Sequence, residues 1–206
     1  MRRAAIILVL VCLGFGFAGQ AYAAPVQWGV VYPQSRLGFT GTQMGLPFKG
    51  RFETFTASIF FDPETVQGAV EVFILISSIN TENEDRDAAV QGPDWFDSAN
   101  NPRARFVAKQ FRKIGERTYE AKGRLTLRKT TRDVILPFAL TFKDDFVKMH
   151  GELKIDRVNY GVGTGDWASG STVGREVIIL IDLVAKRKTT QAKPDAAPDV
   201  SGAPEQ

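Results

Sequence analysis

The sequence predicts an all-β protein, an antiparallel up-and-down β-barrel of about eight strands with one short helical crossing. Three observations predict it. Phe and Gly are abundant, 15 and 19 residues of 206, and they recur in runs where apolar and polar residues alternate. That period of two is the mark of a strand with one covered face. About eight or nine such runs are separated by short turns, so antiparallel meander connections dominate. Only one connection is long and helical. A closed barrel is the simplest architecture that leaves no exposed edge, and a two-sheet sandwich is its rival.

The elements follow in order. Gln27 to Tyr32 reads as a first strand closed by Pro33, and 35–40 alternates again, with Leu37 and Phe39 on one face. Phe48 opens a longer strand through Phe61. Phe52 and Phe55 are three apart, so a bulge near Glu53 is expected to restore both rings to one face. Asp62-Pro63-Glu64-Thr65 turns the chain. The stretch 69–76 is apolar on both faces, Val72, Ile74 and Ile76 against Phe73 and Leu75, so both faces need cover. The polar segment that follows is expected to supply it as a helix from Glu82 to about Gln91. Thr81 is its N-cap, Glu84 completes a capping box, and Ala88, Ala89 and Val90 lie near the sheet. Gly92-Pro93 ends it.

Alternation resumes with Phe106, Ala108 and Gln110 against Val107, Lys109 and Phe111. The cleanest strand comes next, with Tyr119, Ala121, Gly123, Leu125 and Leu127 facing in. After a turn at 129–131, Val134, Leu136, Phe138, Leu140 and Phe142 line an inner face, and Pro137 marks an edge or a bulge. Met149, Gly151, Leu153 and Ile155 alternate with His150, Glu152, Lys154 and Asp156. A Gly-rich loop spans 159–174. It lacks a phosphate-loop lysine and a following helix, and reads as a barrel-end loop. Val177 to Ile181 is a last strand, apolar on both faces.

Residues 1–23 read as a secretory signal peptide: Arg2 and Arg3, an apolar run from Ile6 to Phe17 shorter than a membrane span, and the cleavage pattern Ala21-Tyr22-Ala23. The domain is expected over 24–187. Residues 188–206, rich in Pro, Ala, Asp and Lys without periodicity, read as a disordered tail. The single cysteine, Cys12, lies in the leader, so the mature chain has no thiol, which suits a periplasm and excludes cysteine nucleophiles and thiolate metal sites. Net charge is +3, of which Arg2 and Arg3 supply two, and no basic cluster interleaved with aromatics points to nucleic acid. His150, the only histidine, falls on an outward face, which argues against a Ser-His-Asp triad. Glu82, Glu84, Asp85 and Asp87 read as a solvated helix start rather than a cation site. Arg86-Asp87 and Asp156-Arg157 read as structural ion pairs rather than head-group ligands.

Several spaced motifs resemble the YceI-like family of periplasmic, lipocalin-like proteins. They are Ser35-x-Leu37-x-Phe39, Gly50-x-Phe52-x-x-Phe55 with Phe61-Asp62-Pro63, and Ser78-Ile79-Asn80-Thr81-x-Asn83-x-x-Arg86-Asp87, the most distinctive. Asp94-x-Phe96-Asp97 with Asn101-Pro102-x-x-x-Phe106, Gly123-x-Leu125-Thr126-Leu127-Arg128, and Asp156-Arg157-x-Asn159-Tyr160-Gly161-Val162-Gly163 complete the set. Their order and spacing span Trp28 to about Lys186. Lys129 and Trp95 depart from the pattern, where Gly and Phe are usual.

The resemblance implies an eight-stranded lipocalin-like barrel whose lumen holds an isoprenoid chain or quinone-like lipid, with no catalytic residue and no cofactor or metal. The candidate lumen contacts are Phe52, Phe55, Ile74, Ile76, Trp95, Phe96, Phe106, Leu125, Leu127, Phe138 and Tyr160. Burying hydrocarbon is worth roughly 0.8 kcal/mol per CH₂, so a five-carbon isoprene unit gains roughly 3–4 kcal/mol before ordering costs. The expected function is a periplasmic carrier of an apolar isoprenoid lipid. The alternatives are an envelope stress-related protein or an accessory to quinone redox chemistry acting through a protein partner. The expected ligand is the lipid itself, with no nucleic acid, peripheral or no membrane contact, and a homodimer allowed.

Overall fold

The computed structural model describes residues 26–188. The expected signal peptide and all but the first residue of the expected tail lie outside them. Eleven strands and one α-helix fill the described chain: β1 (Gln27–Val30), β2 (Arg36–Gln43), β3 (Leu46–Phe52), β4 (Phe55–Asp62), β5 (Gln67–Leu75), β6 (Ile79–Asn80), α1 (Glu84–Gln91), β7 (Arg103–Lys113), β8 (Thr118–Leu127), β9 (Thr130–Lys143), β10 (Phe146–Asp156) and β11 (Glu176–Arg187).

Eight of the strands form a closed antiparallel ring in the order β1-β4-β5-β7-β8-β9-β10-β11, and β11 returns to β1. β1 closes the ring by pairing with β4 at Trp28↔Ile59 and with β11 at Trp28↔Arg187. A 3₁₀ turn over Tyr32–Gln34 then bends the chain. Ser35 Oγ pins that bend, donating to Val31 O and accepting from Val184 N at 3.0 Å. Beyond it, β2 takes over the same edge of β11, from Arg36↔Asp182 to Thr40↔Ile178, and carries β3 and β6 outward. One end of the barrel is therefore the eight-strand ring. The other is widened by the β2–β3 hairpin.

The alternation in β8, β9 and β10 is realised as read. Tyr119, Ala121, Leu125, Leu127, Leu136, Phe138, Leu140, Val147, Leu153 and Ile155 are buried, and their neighbours in sequence face outward. Pro137 sits where β9 parts from β10: their pairing stops at Gly151↔Phe138, so its missing N–H interrupts no ladder between them.

Three local expectations are corrected. The stretch 48–61 is not one bulged strand but two strands that part at Glu53–Thr54. Phe52 pairs with Leu37, whereas Phe55 pairs with Ile74 on the other side. The backbone leaves one neighbour for another there, and Glu53 N donates to Ser78 O while Leu75 N donates to Thr54 O, both at 3.0 Å. The helix starts at Glu84 with Asn83 as its N-cap, the Asn83 side chain accepting from Arg86 N. Thr81 is not its cap. Its N–H and hydroxyl both donate to Asp87 Oδ1, at 2.9 and 2.7 Å. Finally, α1 buries none of its residues and does not cover the outer face of β5. It sits at the wide end of the barrel, and the outward Phe73 is covered by the Arg105 guanidinium, 5.6 Å from its ring.

β7 carries an irregularity that period-two reading misses. Its register with β8 skips Lys109, between Ala108↔Gly123 and Gln110↔Lys122. The bulge flips parity, so Phe111 joins the inner face beside Phe61, with ring centroids 5.0 Å apart.

Candidate functional site

Inside the barrel lie two stacked apolar chambers. The upper one, at the wide end, has a volume of about 110 Å³. Its walls come from β2 (Leu37, Phe39), β3 (Phe48, Phe52), the end of β5 (Ile74) and the turn after it (Ile76), β8 (Leu125, Leu127) and β11 (Val177, Ile179). Val90 of α1, Trp95 and Phe96 of the following loop, and Val162 and Val173 of the Gly-rich loop close its mouth. The lower chamber, about 90 Å³, lies in the ring end between Trp28, Phe61, Phe106, Phe111, Phe138 and Met149.

Of the eleven candidate contacts, Phe52, Ile74, Ile76, Trp95, Phe96, Leu125 and Leu127 line the upper chamber. Phe106 and Phe138 line the lower one. Two line neither. Phe55 packs edge-on against Tyr32, centroids 5.4 Å apart, because its strand has already moved to β5. Tyr160 is buried in a 3₁₀ turn, Arg157–Tyr160, beside the seam where β9 and β10 part. Arg132 holds that turn, donating to Asn159 O at 2.7 Å with its guanidinium 6.0 Å from the Tyr160 ring. Burial pushes the Tyr160 hydroxyl above its ordinary value.

Several lining residues were legible but not nominated. Leu37, Phe39, Leu136 and Leu140 all had inward parity. Phe111 was hidden by the bulge. Arg157 carried the least signal, since a buried arginine reads from sequence as half of an ion pair.

Arg157 is the structural centre of the mouth. It is 3 % exposed. All five of its N–H groups go to backbone carbonyls of the Gly-rich loop: Nε to Gly174 O, Nη1 to Val162 O and Gly163 O, Nη2 to Trp167 O and Val173 O, at 2.5–3.0 Å. Its face stacks on Trp95 at 4.9 Å, and Trp167 packs 5.5 Å from Trp95. Burial pushes its pKa below the ordinary arginine value, and it remains a cation. Gly163 is required there. Its φ is +74°, and a Cβ would collide with the guanidinium.

The two expected ion pairs are therefore not formed. Asp156 pairs with Arg175 at 2.6 Å instead of Arg157, and its Oδ1 also caps the 3₁₀ turn through Val158 N. Arg86 and Asp87 meet through Thr81, not each other. Arg86 Nε donates to Thr81 Oγ1 at 3.1 Å, and its guanidinium lies 4.4 Å from the Phe48 ring.

The two polar side chains of the upper lining are thus committed within the protein. Arg157 has no free donor, and the Thr81 hydroxyl is committed to Asp87 and Arg86. No group of three or more His, Cys, Asp or Glu side chains among the described residues is placed to hold a metal. His150 stands on the outer surface of β10, its Nδ1 2.7 Å from Asp182.

The site is thus a closed antiparallel barrel enclosing two apolar chambers, with both polar side chains of the upper lining, Thr81 and Arg157, hydrogen-bonded within the protein. A YceI-like domain model matches residues 28–185, and the chain belongs to that family. A UPF0312 protein of Photorhabdus laumondii is 31% identical over 121 residues, 58% of this chain and 62% of that protein. The chain thus spans about three-fifths the length of the curated relatives it matches. Among solved structures, BcnA of Burkholderia cenocepacia superposes with a TM-score of 0.74 at 31% identity, over 77% of this chain and all of that one. The YCEI protein of Campylobacter jejuni gives 0.59 at 28%, over 69% of this chain and 86% of that one. A Saccharophagus degradans domain described as polyisoprenoid binding shares the fold at 12% identity, with a TM-score of 0.62 over 81% of this chain and all of that domain.

Proposed function

We propose that the protein is a periplasmic carrier that holds the hydrocarbon tail of an isoprenoid-type lipid, a polyprenyl chain or quinone, inside its barrel. The observation that carries this reading is the lumen itself: two stacked chambers walled by aromatic and branched aliphatic side chains, whose two polar lining side chains, Thr81 and Arg157, are committed to protein partners. Such a site recognises a chain by length and shape and leaves the head group in water. The description of the Saccharophagus degradans domain as polyisoprenoid binding supports the same ligand class.

The magnitudes are adequate. A water-sized group needs about 10–15 Å³ of such volume, so the upper chamber takes roughly seven to eleven carbons, about two isoprene units. Two units buried gain roughly 6–8 kcal/mol gross, from which ordering costs are subtracted.

Native mass spectrometry of protein purified from its own envelope, followed by organic extraction, tests the reading. The expected result is a bound mass that extracts as an isoprenoid. Protein that emerges empty and takes up no prenyl probe would overturn it. The periplasmic location rests on the leader-like stretch 1–23, and N-terminal sequencing of exported protein should begin near Ala24. An intact Met1 would refute the location and leave the lumen reading standing.

A further inference from the structure

The two chambers share no lining residue, and what divides them is specific. Each ring strand contributes inward side chains in levels. On β8 the upper chamber takes Leu125 and the lower takes Ala121. On β11 they take Ile179 and Leu183, and on β5 they take Ile74 and Val70. The level between consists of Val72, Val134, Leu153 and Ile181, which pack in the core and line neither chamber. At this level β8 and β10 carry Gly123 and Gly151, so two gaps would remain. The Gly151 gap is filled by the Met149 methyl and Leu136, 3.1 and 3.3 Å from where a Cβ would stand. The Gly123 gap is filled by one side chain. The Phe106 ring lies 2.7–2.8 Å from the Cβ position, so tightly that no residue but Gly fits beneath it. Phe106 is paired with Leu125 and leans from that level across Gly123 into the lower chamber.

We propose that Phe106 determines specificity by completing the floor between the two chambers, which sets the length of apolar chain the protein accepts. The proposal rests on the carrier reading above. With the ring in place, a chain entering at the wide mouth fills the upper chamber, about two isoprene units, and stops. Without it, the Gly123 gap joins the chambers and a third unit finds dry surface.

The test is competition of a fluorescent apolar-chain probe by prenyl alcohols of five, ten, fifteen and twenty carbons, which share one head group. For the wild type, affinity should rise to ten carbons and level off. For Phe106→Ala it should keep rising, with the fifteen-carbon alcohol bound about tenfold or more tighter than the ten-carbon one. Phe106→Leu, which reaches less far over Gly123 at a smaller loss of packing, should give an intermediate profile and serves if the alanine variant does not fold. Phe73→Ala removes a comparable ring from the outer face of β5, where it lines neither chamber, and should keep the wild-type profile. An unchanged profile in both Phe106 variants overturns the proposal while the carrier reading stands, as does a wild type whose affinity climbs through twenty carbons. A shift in Phe73→Ala equal to that of Phe106→Ala also overturns it. Failure of the wild type to bind the probe or any alcohol overturns the carrier reading, and this inference with it.

Discussion

Replacing Arg157 by Met keeps the length of the side chain and removes its charge and all five donors. The five carbonyls it serves, at Val162, Gly163, Trp167, Val173 and Gly174, belong to one loop and have no common partner but this guanidinium. Hydrogen bonds to a charged group are each worth roughly 1.5–3 kcal/mol net, which for five gives a ceiling of roughly 7–15 kcal/mol. That ceiling is not reached, because the loop lies at the barrel end and its carbonyls can turn to water once it lifts away. What is lost is the ordered loop, its contacts at the chamber mouth, and the Trp95 stack at 4.9 Å. We expect a cost of about 3–5 kcal/mol, the range seen when a buried charge network is broken. For a domain of this size that lowers Tm by roughly 6–20 °C. Arg157→Lys should rescue little, since three donors on one nitrogen cannot span five acceptors. Urea denaturation gives the free energy, and hydrogen exchange across 161–174 should show fast exchange in both variants while β8 and β10 stay protected. A lysine variant within about 1 kcal/mol of wild type, with a protected loop, would refute the fork geometry as the reason for this arginine.

Leu125 is buried against the upper chamber, so Leu125→Trp should place its ring in the cavity. It should cost under about 1 kcal/mol rather than the 1–3 of an overpacked core, while weakening prenyl-probe uptake tenfold or more, with the outward Arg124→Trp as control. Strong destabilisation would show the space to be filled core. Gly163→Ala forces a Cβ onto the Arg157 guanidinium at φ +74° and should cost at least about 2 kcal/mol in chemical denaturation, whereas Gly165→Ala, with open space at its Cβ, should cost only the backbone strain of about 1 kcal/mol. The hydrogen bond that His150 donates to the Asp182 carboxylate raises the His150 pKa in the folded state, so its contribution is fully present below the unfolded value near 6.5 and is lost as pH rises through the folded value. Both groups are more than half exposed, which limits the effect to under about 1 kcal/mol. Melting curves from pH 5.5 to 8.5 should show a slightly steeper loss for wild type than for Asp182→Asn, and identical slopes would refute the pair.

The inward faces of β8, β9 and β10 were legible because alternation is a local property: each residue's face follows from its neighbour's until something interrupts the pleat. Tyr119 to Leu127 needed nothing else. The expectation failed where an interruption left no trace in composition. Lys109 looks like any outward lysine, yet the register skips it and Phe111 turns inward. Glu53–Thr54 looks like a bulge, yet the chain changes partners there and strands Phe55 outside the chambers. Thr81 was recognised as a helix-start residue, but Asn83 two positions on caps equally well, and the fold spends Thr81 on Asp87.

What the sequence by itself determined is the barrel, the apolar character of its interior and the family, because each follows from residue order, turn chemistry and motif spacing along a single strand of text. Only the tertiary structure decided how that interior is divided. Whether Gly123 faces Phe106, whether Arg157 meets a carboxylate or five carbonyls, and whether α1 covers a sheet or a mouth all depend on the stagger between strands far apart in the chain. That stagger is fixed when the ring closes through β1 and β11, by pairings of which no single segment carries a record.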